Sequence, residues 1–482
     1  CALPIYVILL AGACTWGQTE SEIVIANVKT GKPAIVSRLP VSGFIRESRM
    51  VGSALYVASE TYKPIQADPR GSEIWEWGTV VSSFDLADPR VPVARPTLWF
   101  PGSGNVIHAT DRFLFVCPRD PSDWWHSTVR IIDISRADGV MADLGMLSPR
   151  GNVADKFKLN LDGDILTIVS EAWNSSRQWT STLENFSLAK PASPEKLAEL
   201  VIKPGERLFA TRFAGTKAYV VTFLRIDPLF VIDLADPRKP RIVGEVEVPG
   251  WSTYIQPMGD RLLTIGIDNT NGFRVSVSLF DVSDPSKPGL LSRVPVGENY
   301  SWSEANTDEK AFGVLPESGL LLVPYQGYST NGYASRVQLI DFSKDALAAR
   351  GAIEHAMQPR RATLHRDRVI SLSGRELISV NAANRDQPKV TASLELAWRV
   401  DRVFLAGNHL LQLSSSSGWD GKSGAVLRVS MAQDPDVILN QVKLPSAFAI
   451  LGAAMNDGVL HVLQGDIYGT VQYPSGSGGG SN

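Results

Sequence analysis

One phrase recurs along the chain: an aliphatic-Asp-aliphatic step followed by a turn rich in Asp, Ser and Pro. Its clearest copies are residues 84–89, 232–237 and 280–285. Successive centres lie between 40 residues apart (Asp341 to Asn381) and 60 residues apart (Asp281 to Asp341). That period is typical of a four-stranded sheet and too long for a helical pair. Nine units are visible, centred on Asn27, Asp85, Asp133, Asn185, Asp233, Asp281, Asp341, Asn381 and Ser430.

The strands within one unit are clearest between residues 250 and 296. Apolar and β-branched residues predict strands at 252–255, 262–266, 275–280 and 290–294, separated by Gly and Pro. The second strand of the scheme recurs elsewhere, at 55–58, 113–116, 165–169, 218–221 and 460–463. The start of the chain predicts a hairpin with strands at 6–10 and 23–27.

Sheets of this composition have two apolar faces, and one sheet alone cannot bury both. Stacking the repeated sheets against one another solves this problem. We therefore predict an all-β fold, a β-propeller of four-stranded antiparallel blades with under about a tenth of its residues in helix. About eight blades are expected, within a range of seven to ten, and we expect truncation at both ends.

The domain organisation follows from the repeat. Residues 1–5 match a translated sequencing-adapter end and are interpreted as a non-native leader, 6–474 as the propeller, and 475–482 as a Gly/Ser loop or linker. The apolar stretch 2–13 has no basic start and is too short to span a bilayer, so no transmembrane segment is predicted. Cys14 and Cys117 are interpreted as isolated buried thiols, with a disulfide between them as the alternative.

The repeated aspartate has two readings. In a turn of this type its carboxylate can accept backbone N–H bonds and fix the corner, which is a structural role. A calcium loop would need three or more oxygen-bearing side chains at alternating positions, whereas these turns offer two. We predict the structural role, with no metal site and no cofactor.

Three stretches of sequence resemble a known family. Residues 43–52, 207–236 and 279–285 are similar to predicted secreted bacterial and archaeal proteins with a C-terminal propeller distantly related to Trp-Asp repeats. The resemblance implies a propeller and export, hence a secreted, periplasmic or cell-surface location. It supplies no reaction and no catalytic residues. This sequence departs from the family pattern in lacking a further blade before Tyr6 and in continuing past residue 397.

Charged residues are unusually dense on the predicted inner strands, where propellers bind ligands at the channel mouth. Mixed signs favour structural ion pairs around a wet channel, and a polar or anionic ligand site is the alternative. Arg49, His108, Arg360 and Asp401 belong to this group of polar residues on the inner strands. The candidates for ligand binding within the group are Arg46, Glu47, Asp155, Lys156, Arg212, Tyr254, Glu304, Arg361 and Arg399. Aromatic residues predicted in loops form further groups, at Trp75 and Trp77, Trp124 and Trp125, Trp173 and Trp179, Tyr325, Tyr328 and Tyr333, and Trp419.

Composition and motifs limit the function classes. Lys and Arg number 47 against 50 Asp and Glu, without a basic block, so nucleic acid is an unexpected partner. Scattered histidines and the absence of HExxH or GxSxG motifs argue against common hydrolases. The favoured hypothesis is an exported binding or scaffolding propeller that engages a protein or polysaccharide without catalysis. The alternatives are an extracellular polysaccharide hydrolase or lyase with carboxylates from separate blades, and an architectural module of a larger cell-surface protein.

Overall fold

The computed structural model describes residues 6–15, 18–67, 73–104, 106–174, 176, 178–223, 227–330, 332–398, 400–415, 425–444 and 449–465. Within these residues there are 39 strands and no α-helix. Four single turns of 3₁₀ helix interrupt the strands, at Lys156–Lys158, Glu304–Asn306, Glu309–Ala311 and Pro316–Ser318. The all-β prediction is confirmed.

The chain forms two compact units. The first contains residues up to 270 together with 276–293 and 344–346, and the second contains 271–275, 294–343 and the chain from 347 onward. Every sheet in both is antiparallel with strands in nearly sequential order. Nine sheets have three or more described strands, within the predicted range of seven to ten blades.

The first three sheets along the chain belong to the first unit. The first sheet holds β1 (Tyr6–Thr15), β2 (Gln18–Asn27) and β3 (Ala34–Ser42). The second holds β4 (Phe44–Val51), β5 (Ala54–Ala67), β6 (Glu73–Asp85), β7 (Val93–Ala94) and β8 (Leu98–Pro101), and the third β9 (Ile107–Ala109), β10 (Phe113–Val116), β11 (Val129–Asp133) and β12 (Ala142–Leu147).

Three further sheets follow the four-stranded scheme. They hold β13 (Leu159–Asp162), β14 (Ile165–Trp173), β15 (Trp179–Ser187) and β16 (Glu195–Pro204); β17 (Arg207–Ala214), β18 (Lys217–Phe223), β19 (Asp227–Asp233) and β20 (Arg241–Val248); and β21 (Trp251–Met258), β22 (Arg261–Asp268), β23 (Arg274–Asp281) and β24 (Gly289–Val296). The last four contain the four strands predicted between residues 250 and 296.

The remaining sheets lie mostly in the second unit. They hold β25 (Tyr300–Trp302), β26 (Gly313–Leu315), β27 (Leu320–Ser329), β28 (Gly332–Phe342) and β29 (Leu347–His355); β30 (Pro359–His365), β31 (Arg368–Ser373), β32 (Glu376–Asn381) and β33 (Lys389–Glu395); β34 (Arg402–Ala406), β35 (His409–Ser415), β36 (Ala425–Met431) and β37 (Asp434–Lys443); and the pair β38 (Ala449–Asn456) and β39 (Val459–Gly465).

Alternate residues of a strand pack into different cores, because successive side chains point to opposite faces of a sheet. In β10, Phe113 and Phe115 pack with Ile168 of the following sheet, whereas Leu114 and Val116 pack with the preceding one. All four residues of β10 are buried. Sheets covered on both faces read as continuous apolar runs, which explains why these strands are hydrophobic throughout.

The repeated aspartates lie at equivalent corners, each as the last residue of the third strand of its sheet. Asp85 ends β6, Asp233 ends β19 and Asp281 ends β23. In each case Oδ1 accepts the backbone N–H two residues on, at 3.0, 3.1 and 2.9 Å. The same bond, at 2.8 to 3.0 Å, is made by Asn27, Asp133 and Asn381. The predicted structural role is therefore confirmed at these six centres of the repeat.

We expect Asp85→Ala to lower the free energy of unfolding by about 1–2 kcal/mol. The change removes the acceptor for the Ala87 N–H and also the 3.1 Å ion pair with Arg95, both partners being largely shielded from water. Asp85→Asn is the matched control because its amide oxygen keeps the turn bond, and it should lose about half as much. Urea unfolding of both variants checks this, and equal losses would show that the turn bond contributes nothing.

Candidate functional site

A pocket of about 390 Å³ opens at the first strands of four successive sheets in the first unit. Arg49 comes from β4, His108 from β9, Lys156 from the 3₁₀ helix before β13, and Arg212 from β17. The complete lining is Arg49, His108, Ala109, Lys156, Phe157, Leu159, Asn160, Arg212 and Phe213. Three of these described side chains are cationic and none is acidic, so the pocket wall is positively charged.

Arg49 and His108 form one side of the pocket. The Arg49 guanidinium donates to the carbonyl oxygens of Ser48 at 2.7 Å and Ile107 at 2.9 Å, and pairs with Glu47 at 2.7 Å. The His108 ring stacks on Phe115 with centroids 6.2 Å apart. Burial, followed by the charge of Arg49, lowers the pKa of His108 to about 4. The imidazole is therefore neutral at pH 7 and serves as a hydrogen-bonding group.

Arg212 forms the other side, where its guanidinium lies against two adjoining aromatic rings. Its guanidinium carbon lies 4.7 Å from the centroid of Phe157 and 5.6 Å from that of Tyr254, and these two rings are 5.5 Å apart. The Tyr254 hydroxyl donates to Gln256 at 2.7 Å. Among the described residues no carboxylate pairs with Arg212. Its charge is thus supported by aromatic faces and is available to an anion.

Asp155 and the residues after it build the 3₁₀ turn between these two sides. Asp155 Oδ1 accepts the Phe157 N–H at 2.8 Å and caps the turn. Its Oδ2 accepts from the buried Lys158 ammonium at 2.9 Å, and Lys158 also donates to the Phe209 carbonyl at 3.0 Å. Both carboxylate oxygens of Asp155 therefore already accept hydrogen bonds from this segment. Lys156 lines the pocket, with its ammonium 5.1 Å from the centroid of Phe157.

The other candidates lie in ion pairs. Arg46 pairs at 2.6 Å with Glu60, which is buried. In the second unit Arg361 pairs with Asp308 at 2.5 Å and lies 4.0 Å from Glu304. Arg399 lies outside the described residues.

The sequence placed three candidates on the wrong element. Asp155 caps a 3₁₀ helix, and Lys156 and Glu304 lie within 3₁₀ helices, whereas inner strands were predicted. The capped turn places Asp155 and Lys156 directly before β13, and it places Glu304 after β25. The sequence also missed Phe157 and Asn160, because no spacing in the chain indicates that Phe157 meets Arg212 and Tyr254 from two other sheets.

Some of the predicted aromatic groups contact one another. Trp125 and Trp173 each contact Trp179, with centroids 5.1 Å apart in both pairs. Arg207 lies 4.3 Å above Trp179 and pairs with Glu171 at 3.0 Å. Trp75, Trp77, Trp173 and Trp179 lie on strands rather than loops, as do Tyr325, Tyr328 and Tyr333. Trp419 falls outside the described residues.

Metal and membrane features are limited in the part of the chain that the structure describes. No cluster of three or more His, Cys, Asp or Glu side chains there could hold a metal ion. No helix among those residues has the length and apolar character needed to cross a bilayer. Cys117 is a buried free thiol.

Two archaeal proteins are similar in sequence to part of this chain. Over 111 residues the chain is 42% identical to uncharacterized protein MJ1554 of Methanocaldococcus jannaschii, covering 23% of this chain and 17% of that protein. Over 128 residues it is 38% identical to an uncharacterized protein of Archaeoglobus fulgidus, covering 27% and 20%. The matched regions therefore span about a fifth of either relative.

Solved structures with some likeness are the Hsv2 proteins of two yeasts. That of Kluyveromyces marxianus has 9% identity and a TM-score of 0.40, and that of Kluyveromyces lactis has 11% identity and a TM-score of 0.39. Each likeness covers 74% of this chain and 100% of the other. The family described as "Beta propeller domain" matches residues 69–366, more than half of the chain. With its repeated four-stranded sheets, the chain belongs to that β-propeller family.

Proposed function

We propose that this chain is an exported binding propeller that captures an anionic group of a protein or polysaccharide in the pocket of its first unit, without catalysis. The observation that carries the proposal is Arg212. A guanidinium that lies against two adjoining aromatic rings, with no described carboxylate partner, is held ready for an external anion. Export rests on the family resemblance given above.

The geometry favours binding over the hydrolase or lyase alternative. A pair of catalytic carboxylates needs two acids that face a common cleft. Here Glu47 pairs with Arg49 at 2.7 Å and Asp155 with Lys158 at 2.9 Å, while Glu304 belongs to the second unit, 4.0 Å from Arg361. The pocket wall itself carries cations, which suit recognition of a negative ligand. An architectural role would not require an unpaired arginine in a pocket.

The test is Arg212→Gln, which removes the charge while keeping a long polar side chain. Binding to polygalacturonate, dextran sulfate and poly-glutamate is measured at low salt, with neutral dextran as the blank. We expect at least one polyanion to bind, and the variant to bind it at least tenfold more weakly. Added salt should weaken the interaction further.

The matched control is Arg238→Gln, which removes an exposed arginine paired loosely with Glu195 at 3.6 Å in the same unit. It should bind like the unmodified protein. The proposal is wrong if none of the three polyanions binds, or if the two variants weaken binding equally. Thermal unfolding of both variants excludes a folding defect as the cause.

A further inference from the structure

We infer that the anion recognised by this pocket is the carboxylate of a sugar acid, one uronate residue of an acidic polysaccharide. This inference rests on the proposed function and names its ligand class. Three features of the wall carry it: its division into charged and apolar parts, its size, and the rigidity of its arginine.

The wall is amphipathic. Lys156 and Arg212 supply positive charge, whereas Phe157 and Phe213 supply aromatic surface, with Ala109 and Leu159 beside them. An inorganic anion would make no use of the apolar half. A sugar acid presents an apolar C–H face, hydroxyls and a carboxylate on one rigid ring, so each part of the wall has a counterpart. Asn160 and the neutral His108 supply hydrogen bonds suited to hydroxyls.

The volume of the pocket and the residues of its wall narrow the choice of ligand. At about 390 Å³ the pocket lies near the lower end of the roughly 300–1,000 Å³ range of small-ligand sites, so it suits a ring-sized group and exceeds a bare anion. Phosphate sites commonly use backbone N–H groups of glycine-rich turns or helix N-termini. No glycine is among the described lining residues, and the contacts offered are side chains.

An acidic peptide is the competing macromolecule. Its carboxylate is carried on a flexible stem, which loses rotamer freedom on binding. A pyranose ring has fewer internal rotations to lose, and the cluster of Phe157, Arg212 and Tyr254 is already ordered by mutual contacts. Rigid ligand and rigid site therefore both favour the sugar acid.

The experiment uses the whole chain and isothermal titration with trigalacturonate. We expect binding that the fully methyl-esterified trimer and neutral galactotriose lack, because they have no free carboxylate. Phe157→Ala should weaken trigalacturonate binding at least fivefold. Phe157→Tyr keeps the ring face and should restore affinity to within twofold of the unmodified protein. Arg238→Gln again serves as the surface control.

The outcomes separate this inference from the proposed function. If tri-glutamate, inorganic sulfate or inorganic phosphate binds in an Arg212-dependent way and trigalacturonate does not, the anion pocket stands and the sugar-acid assignment is overturned. If the methyl ester binds as tightly as the acid, charge recognition is wrong and both fall. If none of these anions binds, both fall as well.

Discussion

Gly250→Ala is expected to lower the free energy of unfolding by about 4 kcal/mol, or to prevent folding. Gly250 lies between β20 and β21 at φ +88°, a conformation that L side chains rarely adopt, which costs about 1–2 kcal/mol. An added Cβ would also overlap the carbonyl oxygen of Ile267 and lie about 3.0 Å from Asp268 Cα. Backbone atoms cannot rotate away, so the sheet must shift, which costs a further 1–3 kcal/mol, roughly.

Gly259→Ala is the matched control within the same sheet. Gly259 has φ +68° in the turn between β21 and β22, and no atom lies within 4 Å of an added Cβ. Only the backbone cost applies, so the expected loss is about 1–2 kcal/mol. Urea unfolding of both variants separates the two contributions. Equal losses would mean that the close approach to Ile267 does not constrain the fold.

Lowering the pH from 7 to 4 is expected to reduce the free energy of unfolding by about 3 kcal/mol through His108 alone. Its pKa is about 4 in the folded state, against an ordinary value of 6.5. Above pH 6.5 both states are neutral and the histidine adds no pH dependence. Between pH 6.5 and 4 the unfolded chain binds a proton that the folded chain excludes, so stability falls. Below pH 4 both bind it and the loss levels off.

The measurement compares the unmodified protein with His108→Gln in urea unfolding at pH 7 and pH 4. Glutamine keeps a hydrogen-bond donor and does not titrate, so carboxylates and the other histidines contribute equally to both proteins. The difference between the two pH-dependent losses should be about 3 kcal/mol. Parallel losses would show that the His108 ring accepts a proton as readily when folded as when unfolded.

The fold could be predicted because its information is local. The Asp-containing corners at Asp85, Asp233 and Asp281 use a side-chain bond to the backbone two residues away, so they mark the end of the third strand in the sequence itself. Strand boundaries follow from the turns between them. The repeat then fixes the number of sheets to within the stated range.

The site could be predicted only in part, because its contacts join distant residues. Among the candidates chosen from the density of charge near the first strands, Lys156 and Arg212 lie in the wall of one pocket, and Tyr254 lies against Arg212. It gave equal weight to Arg46 and Arg361, which the fold neutralises with Glu60 and Asp308. Whether an arginine contacts an acid or an aromatic ring depends on how neighbouring sheets pack. The spacing of residues along the sequence does not indicate those contacts.

The origin of the pocket wall in four successive sheets has a thermodynamic consequence for the whole array. Repeat architectures owe their stability to a sum of nearest-neighbour interfaces, and any one interface can open alone. An occupant that touches Arg49, His108, Lys156 and Arg212 together spans the three interfaces between those sheets. At a hundredfold excess over its Kd it would add about 2.7 kcal/mol to the closed state. Local opening would then require release of the ligand, so occupancy would convert separate fluctuations into one cooperative event.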